Sequence, residues 1–188
     1  MLILLSSCAG GDSNKGDQHF NDGNYEAAIA AYNDYLATRP KDVKALYNRG
    51  RSFEELGQVE KAEQDFIAAL KLDSKNVQVM LSLSNLYQKQ RNHSTALLYA
   101  DYAVQVPGAP AMAYFMKGRA LHQLGNTKEA MKEYSAAIKM KSNFGQAYYY
   151  RGMLKIATKN NKEGCEDIRA ALKLNYNGAQ NALDKYCM

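Results

Sequence analysis

Apolar positions between residues 43 and 76 fall into two stripes with the spacing of an amphipathic helix. Leu46, Gly50 and Phe53 stand at i, i+4 and i+7, which places them on one face of a first helix. Gly57 interrupts the pattern, as is expected just beyond a helix C-terminus. A second stripe follows, made of Ala62, Phe66, Ala69 and Leu70. The pattern predicts two antiparallel helices joined by a short turn.

This pattern returns every 34 residues along the chain, in four ladders that share one register. The first ladder is mainly glycine, the second and third are mainly alanine, and the fourth consists mainly of large residues. The ladders are Gly16, Gly50, Ser84, Gly118 and Gly152; Ala28, Ala62, Ala96, Ala130 and Gly164; Tyr35, Ala69, Ala103, Ala137 and Ala171; and Tyr32, Phe66, Ala100, Tyr134 and Ile168. A fixed period of this size is typical of a stacked repeat array. Because glycine inside a helix costs about 1 kcal/mol relative to alanine, the ladders also predict that helices approach closely there.

These spacings resemble the tetratricopeptide repeat, with small residues at repeat positions 8 and 20, aromatic residues near 11 and at 24, and alanine at 27. The chain departs from the repeat at Ser84, Ala100 and Gly164. The resemblance implies an all-α fold, an α-solenoid that winds as a right-handed superhelix of about five helix-turn-helix repeats plus a C-terminal capping helix. The copies are expected at residues 9–42, 43–76, 77–110, 111–144 and 145–178, and the capping helix at 179–188.

The resemblance further implies a non-catalytic module that binds protein or peptide segments in a concave groove lined by the first helices. Repeat positions 2, 5, 6, 9 and 12 are expected to project into this groove. The candidate partner-binding residues are Tyr47, Asn48, Arg51, Leu81, Asn85, Met112, Phe115, Met116, Arg119, Tyr149, Tyr150 and Met153. The later candidates are apolar and aromatic, which favours a binding surface. The alternative is that the capping helix or a second copy of the chain covers this apolar stripe.

The N-terminal segment offers a signal of a different kind. Residues 5–8, which read Leu-Ser-Ser-Cys, resemble the bacterial lipobox. That resemblance implies that residues 1–8 are a lipoprotein signal, that Cys8 carries the lipid, and that the protein is an outer-membrane lipoprotein of the bacterial envelope. A lipid at Cys8 would anchor the chain to a membrane without spanning it. The alternative is a cytosolic adaptor in which residues 1–7 are a disordered or packing tail.

Two further cysteines lie near the end of the chain. The tail that contains Cys165 and Cys187 resembles the ends of repeat lipoproteins from the Bacteroidota. If the chain is exported, a disulfide between them would join the capping helix to the fifth copy. If the chain stays in the cytosol, both are expected to be buried free thiols.

Charge is unevenly distributed. The net charge is +5, but residues 117–188 hold 13 Lys and Arg against 6 Asp and Glu. An acidic partner or lipid surface would explain the excess, and so would solvated lysines on outer helix faces. The second interpretation is favoured because no dense basic block occurs. Nucleic-acid binding is a remote alternative and is not expected.

The chain shows no pattern that predicts chemistry. His19, His93 and His122 are isolated, and no metal-ligand spacing occurs. No catalytic residue, metal, cofactor or small-molecule substrate is therefore expected. The acidic pairs at residues 54–55 and 166–167 are interpreted as solvated helix faces.

Overall fold

The computed structural model describes residues 12–187, and over that range the chain is all-α. Eleven helices occur within these residues, which confirms the all-α solenoid prediction. The helices are α1 (Ser13–Asn21), α2 (Tyr25–Thr38), α3 (Val43–Glu55), α4 (Val59–Leu72), α5 (Val77–Lys89), α6 (His93–Gln105), α7 (Ala111–Gln123), α8 (Thr127–Met140), α9 (Gly145–Ala157), α10 (Asn161–Lys173) and α11 (Ala179–Tyr186).

The chain forms two compact units that divide between Val79 and Met80, inside α5. In the first unit α1 packs on α2, and α3 packs on α4. In the second unit α7 packs on α8 and α9 on α10, while α11 packs on α10. Each unit is thus built from antiparallel helix pairs that are adjacent in sequence, which is how a solenoid buries its apolar stripes.

The turn inside each pair reverses the chain at one residue with a positive φ. Glycine occupies this place in three copies, at Gly23, Gly57 and Gly125. The other two copies have Arg91 at φ 61° and Lys159 at φ 65°. A left-handed conformation costs a residue with a Cβ roughly 1–2 kcal/mol, so these two turns carry a strain that the glycine turns avoid.

The ladder glycines lie where two helices of one pair touch. A Cβ added to Gly50 would lie 2.8 Å from the ring of Phe66, and one added to Gly118 would lie 2.8 Å from the ring of Tyr134. A Cβ at either position would require the aromatic ring to move. The close approach of the helices that the ladders predicted is therefore confirmed. The third copy has a larger residue, Ser84, at the glycine place and a smaller one, Ala100, at the aromatic place, and both are buried.

The pair α9 and α10 approaches more closely than the pair α7 and α8. A Cβ on Gly152 would lie 2.8 Å from the backbone oxygen of Gly164, whereas a Cβ on Gly118 would lie 3.4 Å from the backbone oxygen of Ala130. A Cβ on Gly164 itself would lie 2.6 Å from Cγ1 of Ile156. The departure from alanine at Gly164 therefore has a physical reason, since alanine would push the two backbones apart.

We expect Gly164→Ala to destabilise the protein, although it restores the residue found at this place in the other four copies. Overpacking a tight contact costs about 1–3 kcal/mol, and the helix propensity of alanine returns only about 1 kcal/mol. A net loss of about 1 kcal/mol should appear in urea unfolding followed by circular dichroism. Ala130→Gly is the reverse change in the looser pair, and it should cost at least about 1 kcal/mol, because it loses helix propensity and a buried methyl group. A more stable Gly164→Ala variant would contradict this explanation.

Buried ion pairs recur at one place in the repeat. Arg49 donates to both carboxylate oxygens of Asp65, at 2.7 and 2.6 Å, and Arg151 does the same with Asp167, at 2.8 and 2.7 Å. The equivalent residue of the fourth copy, Lys117, pairs with Asp101 at 2.7 Å and lies 3.5 Å from Glu133. Bidentate geometry of this kind orders the two helices relative to one another.

The acidic residues at 54–55 and 166–167 were interpreted as solvated, and for one residue of each pair this interpretation is wrong. The side chains of Glu54 and Asp167 are each only 8% exposed. Asp167 points into its helix pair, where Arg151 neutralises it. Their neighbours Glu55 and Glu166 are exposed, as expected.

Candidate partner-binding faces

The first unit presents a pocket of about 300 Å³ between α1 and α3. One of its lining residues is Asp17, which the sequence analysis did not single out. Asp17 Oδ1 accepts hydrogen bonds from the Tyr32 hydroxyl at 2.6 Å and from Asn48 Nδ2 at 2.8 Å. Its Oδ2 accepts from Lys44 Nζ at 2.6 Å. The candidate Asn48 therefore lies in the pocket but is held by a hydrogen bond within the protein.

The ionised form of Asp17 is favoured by these donors. Partial burial acts to raise the pKa of its carboxyl, but the hydrogen bonds from Lys44, Tyr32 and Asn48 outweigh burial and lower that pKa. Asp17 therefore stays negatively charged at neutral pH. It fixes α1, whose polar sequence offered few core residues, against α3.

Arg51 lines the same pocket and lies over an aromatic ring. Its guanidinium carbon is 5.6 Å from the centre of the Phe20 ring, and its Nη1 donates to the Tyr47 hydroxyl at 3.3 Å. Glu55 lies 3.6 Å away on the same helix. Arg51 is half-buried, so its cationic head is held in place at the pocket wall.

Tyr47 does not project toward a partner as predicted. It is 8% exposed, and its ring packs 5.8 Å from the ring of Phe66. The prediction was wrong because repeat position 5 faces the second helix of its own pair. Tyr47 still lines the pocket, and its hydroxyl contacts Arg51 there.

Two candidates in the second unit are also core residues. Phe115 is fully buried and Met116 is 6% exposed, so neither is available to a partner. The Phe115 ring lies 5.8 Å from Tyr134, 5.1 Å from Phe144 and 5.6 Å from Tyr150. For Phe115 the reason is the same as for Tyr47, because position 5 points between its own second helix and the next repeat. Met116, at position 6, lies in the same buried cluster. Leu81 and Tyr150 are half-buried against the same cluster.

The apolar candidates of the last copy are partly covered by the end of the chain. Tyr149 and Met153 are half-buried against a cluster that contains Ala179 and Ala182 of α11. The Tyr149 ring lies 4.9 Å from the ring of Tyr176. For Tyr149 and Met153, the capping helix therefore covers part of the apolar stripe, as the alternative interpretation expected. Of the other candidates, Met112 is 40% exposed, and Asn85 is half-buried.

Arg119 remains accessible and lines a second pocket, of about 400 Å³, in the second unit. Its guanidinium carbon lies 6.0 Å from the Phe115 ring centre and 5.7 Å from that of Tyr150. The pocket lies beside the α5–α6 turn and is lined mainly by residues that the candidate set did not include. Its lining residues are Gln88, Lys89, Arg91, His93, Arg119 and Gln123. A signal for this pocket was present in the sequence, because Arg91 takes the turn position at which other copies have glycine.

Near this pocket, two buried polar atoms make no hydrogen bond to any residue between 12 and 187. They are Nδ1 of His122 and the hydroxyl of Tyr134. Their rings meet edge to face, 6.5 Å apart. Burial lowers the pKa of His122 and raises the pKa of Tyr134. Both shifts favour the neutral form of the side chain.

We expect the lowered pKa of His122 to make stability depend on pH near neutrality. At pH values below the unfolded-state pKa of about 6.5, the unfolded chain binds a proton that the folded chain does not. The free energy of unfolding should therefore fall between pH 7.5 and 5.5. Urea midpoints at these pH values would measure the fall, and His122→Phe should flatten it. Gln123→Ala, at the next residue, should leave the slope unchanged, and an unchanged slope in His122→Phe would contradict the assignment.

The remaining predicted sites lie at the two ends of the chain. Cys165 and Cys187 are joined by a disulfide, with their Cα atoms 5.6 Å apart. Cys8, the predicted lipidation site, lies outside the described residues.

No helix in the described part of the chain is long and apolar enough to cross a bilayer. Within residues 12–187, no three His, Cys, Asp or Glu side chains come together as metal ligands.

Models of the tetratricopeptide repeat match residues 14–77 and 111–144, which together make up just over half of the chain. The second match has the bounds expected for the fourth copy. The chain belongs to the tetratricopeptide-repeat family. Repeat proteins of this family mediate protein–protein interactions, and their fold is in general a non-catalytic interaction scaffold.

Solved structures of this fold are similar to most of the chain. MamA is 22% identical with a TM-score of 0.77, and the similarity covers 88% of this chain and 96% of MamA. PilW, described as a widely conserved type IV pilus biogenesis factor, is 18% identical with a TM-score of 0.78, covering 86% of this chain and 75% of PilW. YrrB, described as a TPR protein with an unusual peptide-binding site, is 21% identical with a TM-score of 0.73, covering 91% and 89%.

Among curated proteins, the human protein O-mannosyl-transferase TMTC1 is 26% identical over 135 residues, which are 70% of this chain. The human mitochondrial import receptor subunit TOM70 is 30% identical over 89 residues, which are 45% of this chain. The chain spans only 15% of the length of each of these relatives.

Proposed function

We propose that this protein is a non-catalytic module that binds segments of a partner protein on the first-helix faces of its two units. One observation carries the proposal. Arg51 and Arg119 stand at the same place in their repeats, and each lies over an aromatic ring and lines a pocket. Arginine held over aromatic rings is typical of residues that dominate binding at protein interfaces. The peptide-binding site in the description of YrrB supports the same use of the fold.

Site-specific photocrosslinking in the native cell tests the binding face. A photoreactive phenylalanine would replace Met112 or Gln123, which are exposed on α7, the latter at the pocket. Tyr102, which is 44% exposed on the second helix α6, is the matched control. The expected result is one partner polypeptide crosslinked from α7 and not from Tyr102. Equal yields from the control would remove the assignment of the face.

The face can also be tested by substitution. Arg51→Glu together with Arg119→Glu is expected to abolish the crosslink from Met112 while leaving the helical circular dichroism unchanged. Phe115 is unsuitable for such a test, because truncating a fully buried aromatic residue costs about 3–5 kcal/mol and would unfold the unit. An undiminished crosslink in the double variant would show that the two arginines do not contribute.

We also propose that the module works as an assembly or scaffolding factor anchored at Cys8 to the outer membrane of the bacterial envelope. The disulfide between Cys165 and Cys187 supports an oxidising compartment. The likeness to PilW, a pilus biogenesis factor, supports a role in assembly by analogy of fold.

Palmitate labelling with membrane fractionation tests the anchor. The wild type is expected to take up label and to sediment with the outer membrane. Cys8→Ser should lose the label and leave that fraction. An unlabelled wild type that fractionates like Cys8→Ser would instead support the cytosolic adaptor.

A further inference from the structure

The pocket beside the α5–α6 turn is lined by cations and hydrogen-bond donors. Lys89, Arg91 and Arg119 contribute positive charge, and Gln88, His93 and Gln123 complete the lining. None of these six residues is acidic. A concave site with one sign of charge focuses the field and attracts the opposite charge.

The two arginines of the pocket have no carboxylate partner. Across the part of the chain that the structure describes, no Asp or Glu lies within ion-pairing distance of Arg91 or Arg119. The arginines of the helix pairs behave differently, since Arg49 and Arg151 each hold an aspartate in two hydrogen bonds. Arg119 is held from beneath by the Phe115 and Tyr150 rings, which orient its guanidinium without neutralising it.

Gln88 adds a hydrogen-bond donor to this wall. The residue is 8% exposed, and its Oε1 accepts a hydrogen bond from His93 Nδ1 at 2.7 Å. This contact uses the acceptor of the amide, so the NH₂ group is the part of Gln88 that can donate to a ligand in the pocket. A ligand that accepts hydrogen bonds would complement this donor.

We propose that this pocket binds the carboxylate side chains of an acidic segment in the partner protein. Carboxylates carry negative charge and only accept hydrogen bonds, which matches a wall of cations and donors. Two unpaired arginines call for more than one carboxylate, so a segment with neighbouring Asp or Glu residues fits better than a single acid. This inference rests on the proposed function, since it names the chemistry of the partner at the same face.

The turn residue Arg91 allows an unusually clean test. It adopts φ 61°, where glycine is favoured, so Arg91→Gly removes the cation while relieving backbone strain. Lys159→Gly is the matched control for charge and for turn conformation. It removes one positive charge from an exposed residue at φ 65° in the equivalent turn of the fifth copy, and Lys159 does not line the pocket.

The probe is a fluorescein-labelled decapeptide of alternating glutamate and glycine with an amidated C-terminus, titrated by fluorescence anisotropy. We expect saturable binding that Arg91→Gly and Arg119→Gln each weaken by about tenfold, as loss of a charged hydrogen bond predicts. Lys159→Gly should change the affinity less than about twofold. Binding should also weaken in about 0.5 M salt, because screening reduces the attraction between exposed charges.

Several outcomes would overturn the inference. Equal binding of the glutamine–glycine analogue would show that charge is not recognised, and equal losses in Lys159→Gly and Arg91→Gly would show that only net charge matters. Displacement of the peptide by inorganic phosphate or single-stranded DNA at lower concentration than by free acidic peptide would assign the pocket to a phosphate ligand. If photocrosslinking from Met112 still captures a partner while these variants bind the acidic peptide unchanged, the proposed function stands and this inference fails. If the crosslink from Met112 is absent, the proposed function is wrong, whatever the result of the peptide titration.

Discussion

Replacing Arg49 by methionine is expected to lower the free energy of unfolding by about 3–5 kcal/mol, because it leaves a buried carboxylate without its cation. Asp65 is 6% exposed, and Arg49 contacts both of its carboxylate oxygens. Arg49 also donates to Asn33 of α2 at 2.9 Å, so the substitution loosens the contact with the preceding pair as well. Urea unfolding monitored by helical circular dichroism would measure the loss.

The equivalent substitution in the fifth copy provides the matched control. Asp167 keeps a second cation when Arg151 is removed, because Lys155 Nζ lies 2.9 Å from its carboxylate. Arg151→Met should therefore be clearly less destabilising than Arg49→Met. The double variant Arg49→Met with Asp65→Leu should recover much of the loss, since no uncompensated charge then remains buried. Equal losses for the two arginines, or no recovery in the double variant, would contradict the explanation.

The fold could be predicted from the sequence because close helix contacts restrict residue type at fixed intervals. Gly50 faces Phe66, and Gly118 faces Tyr134, so the small and aromatic ladders report one physical contact repeated along the chain. Even the departure at Gly164 follows this rule, as its helix pair is the tighter one. The ion pairs that accompany these contacts were not predicted. The reason is that an Arg or Asp in the sequence does not reveal whether it is buried.

The binding face could be predicted only in part, because the periodicity does not fix how far each first helix is rotated about its axis. Position 5 was assigned to the groove, yet Tyr47 and Phe115 lie in the core. At position 9, Arg51 and Arg119 line the pockets, whereas Met153 is half-buried against the cluster that contains α11. A rotation of a fraction of a turn separates these two outcomes, and the hydrophobicity of an aromatic residue is compatible with either.

The basic pocket was missed because its residues do not share one helical face. Gln88 lies in α5, His93 begins α6 and Arg119 lies in α7, while Arg91 stands in a turn. Only the turn position carried a periodic signal, in the form of an arginine at a place that favours glycine. The charge excess of residues 117–188 was interpreted as solvated lysines on outer helix faces, and the pocket takes most of its lining from residues before 117.

Removing the disulfide by Cys165→Ala with Cys187→Ala is expected to lower the free energy of unfolding by about 3 kcal/mol. The two cysteines are 22 residues apart, and closing a loop of that length reduces the entropy of the unfolded chain by about this amount. Helix α11 has only 8 residues, too few for stability by itself. Its apolar contacts with the rest of the unit include those of Ala179, Ala182 and Leu183. Without the bridge, α11 should open locally before the unit unfolds.

Opening of α11 would also change the surface, because this helix lies against the cluster that half-buries Tyr149 and Met153. We therefore expect the double variant to bind more of an apolar fluorescent dye in its folded state, in addition to unfolding at a lower urea concentration. Dithiothreitol should bring the wild type to the same midpoint and leave the variant unchanged, which separates loss of the bridge from an effect of the alanines. A wild-type midpoint that stays unchanged once alkylation shows both thiols to be reduced would show that the bridge contributes nothing to stability.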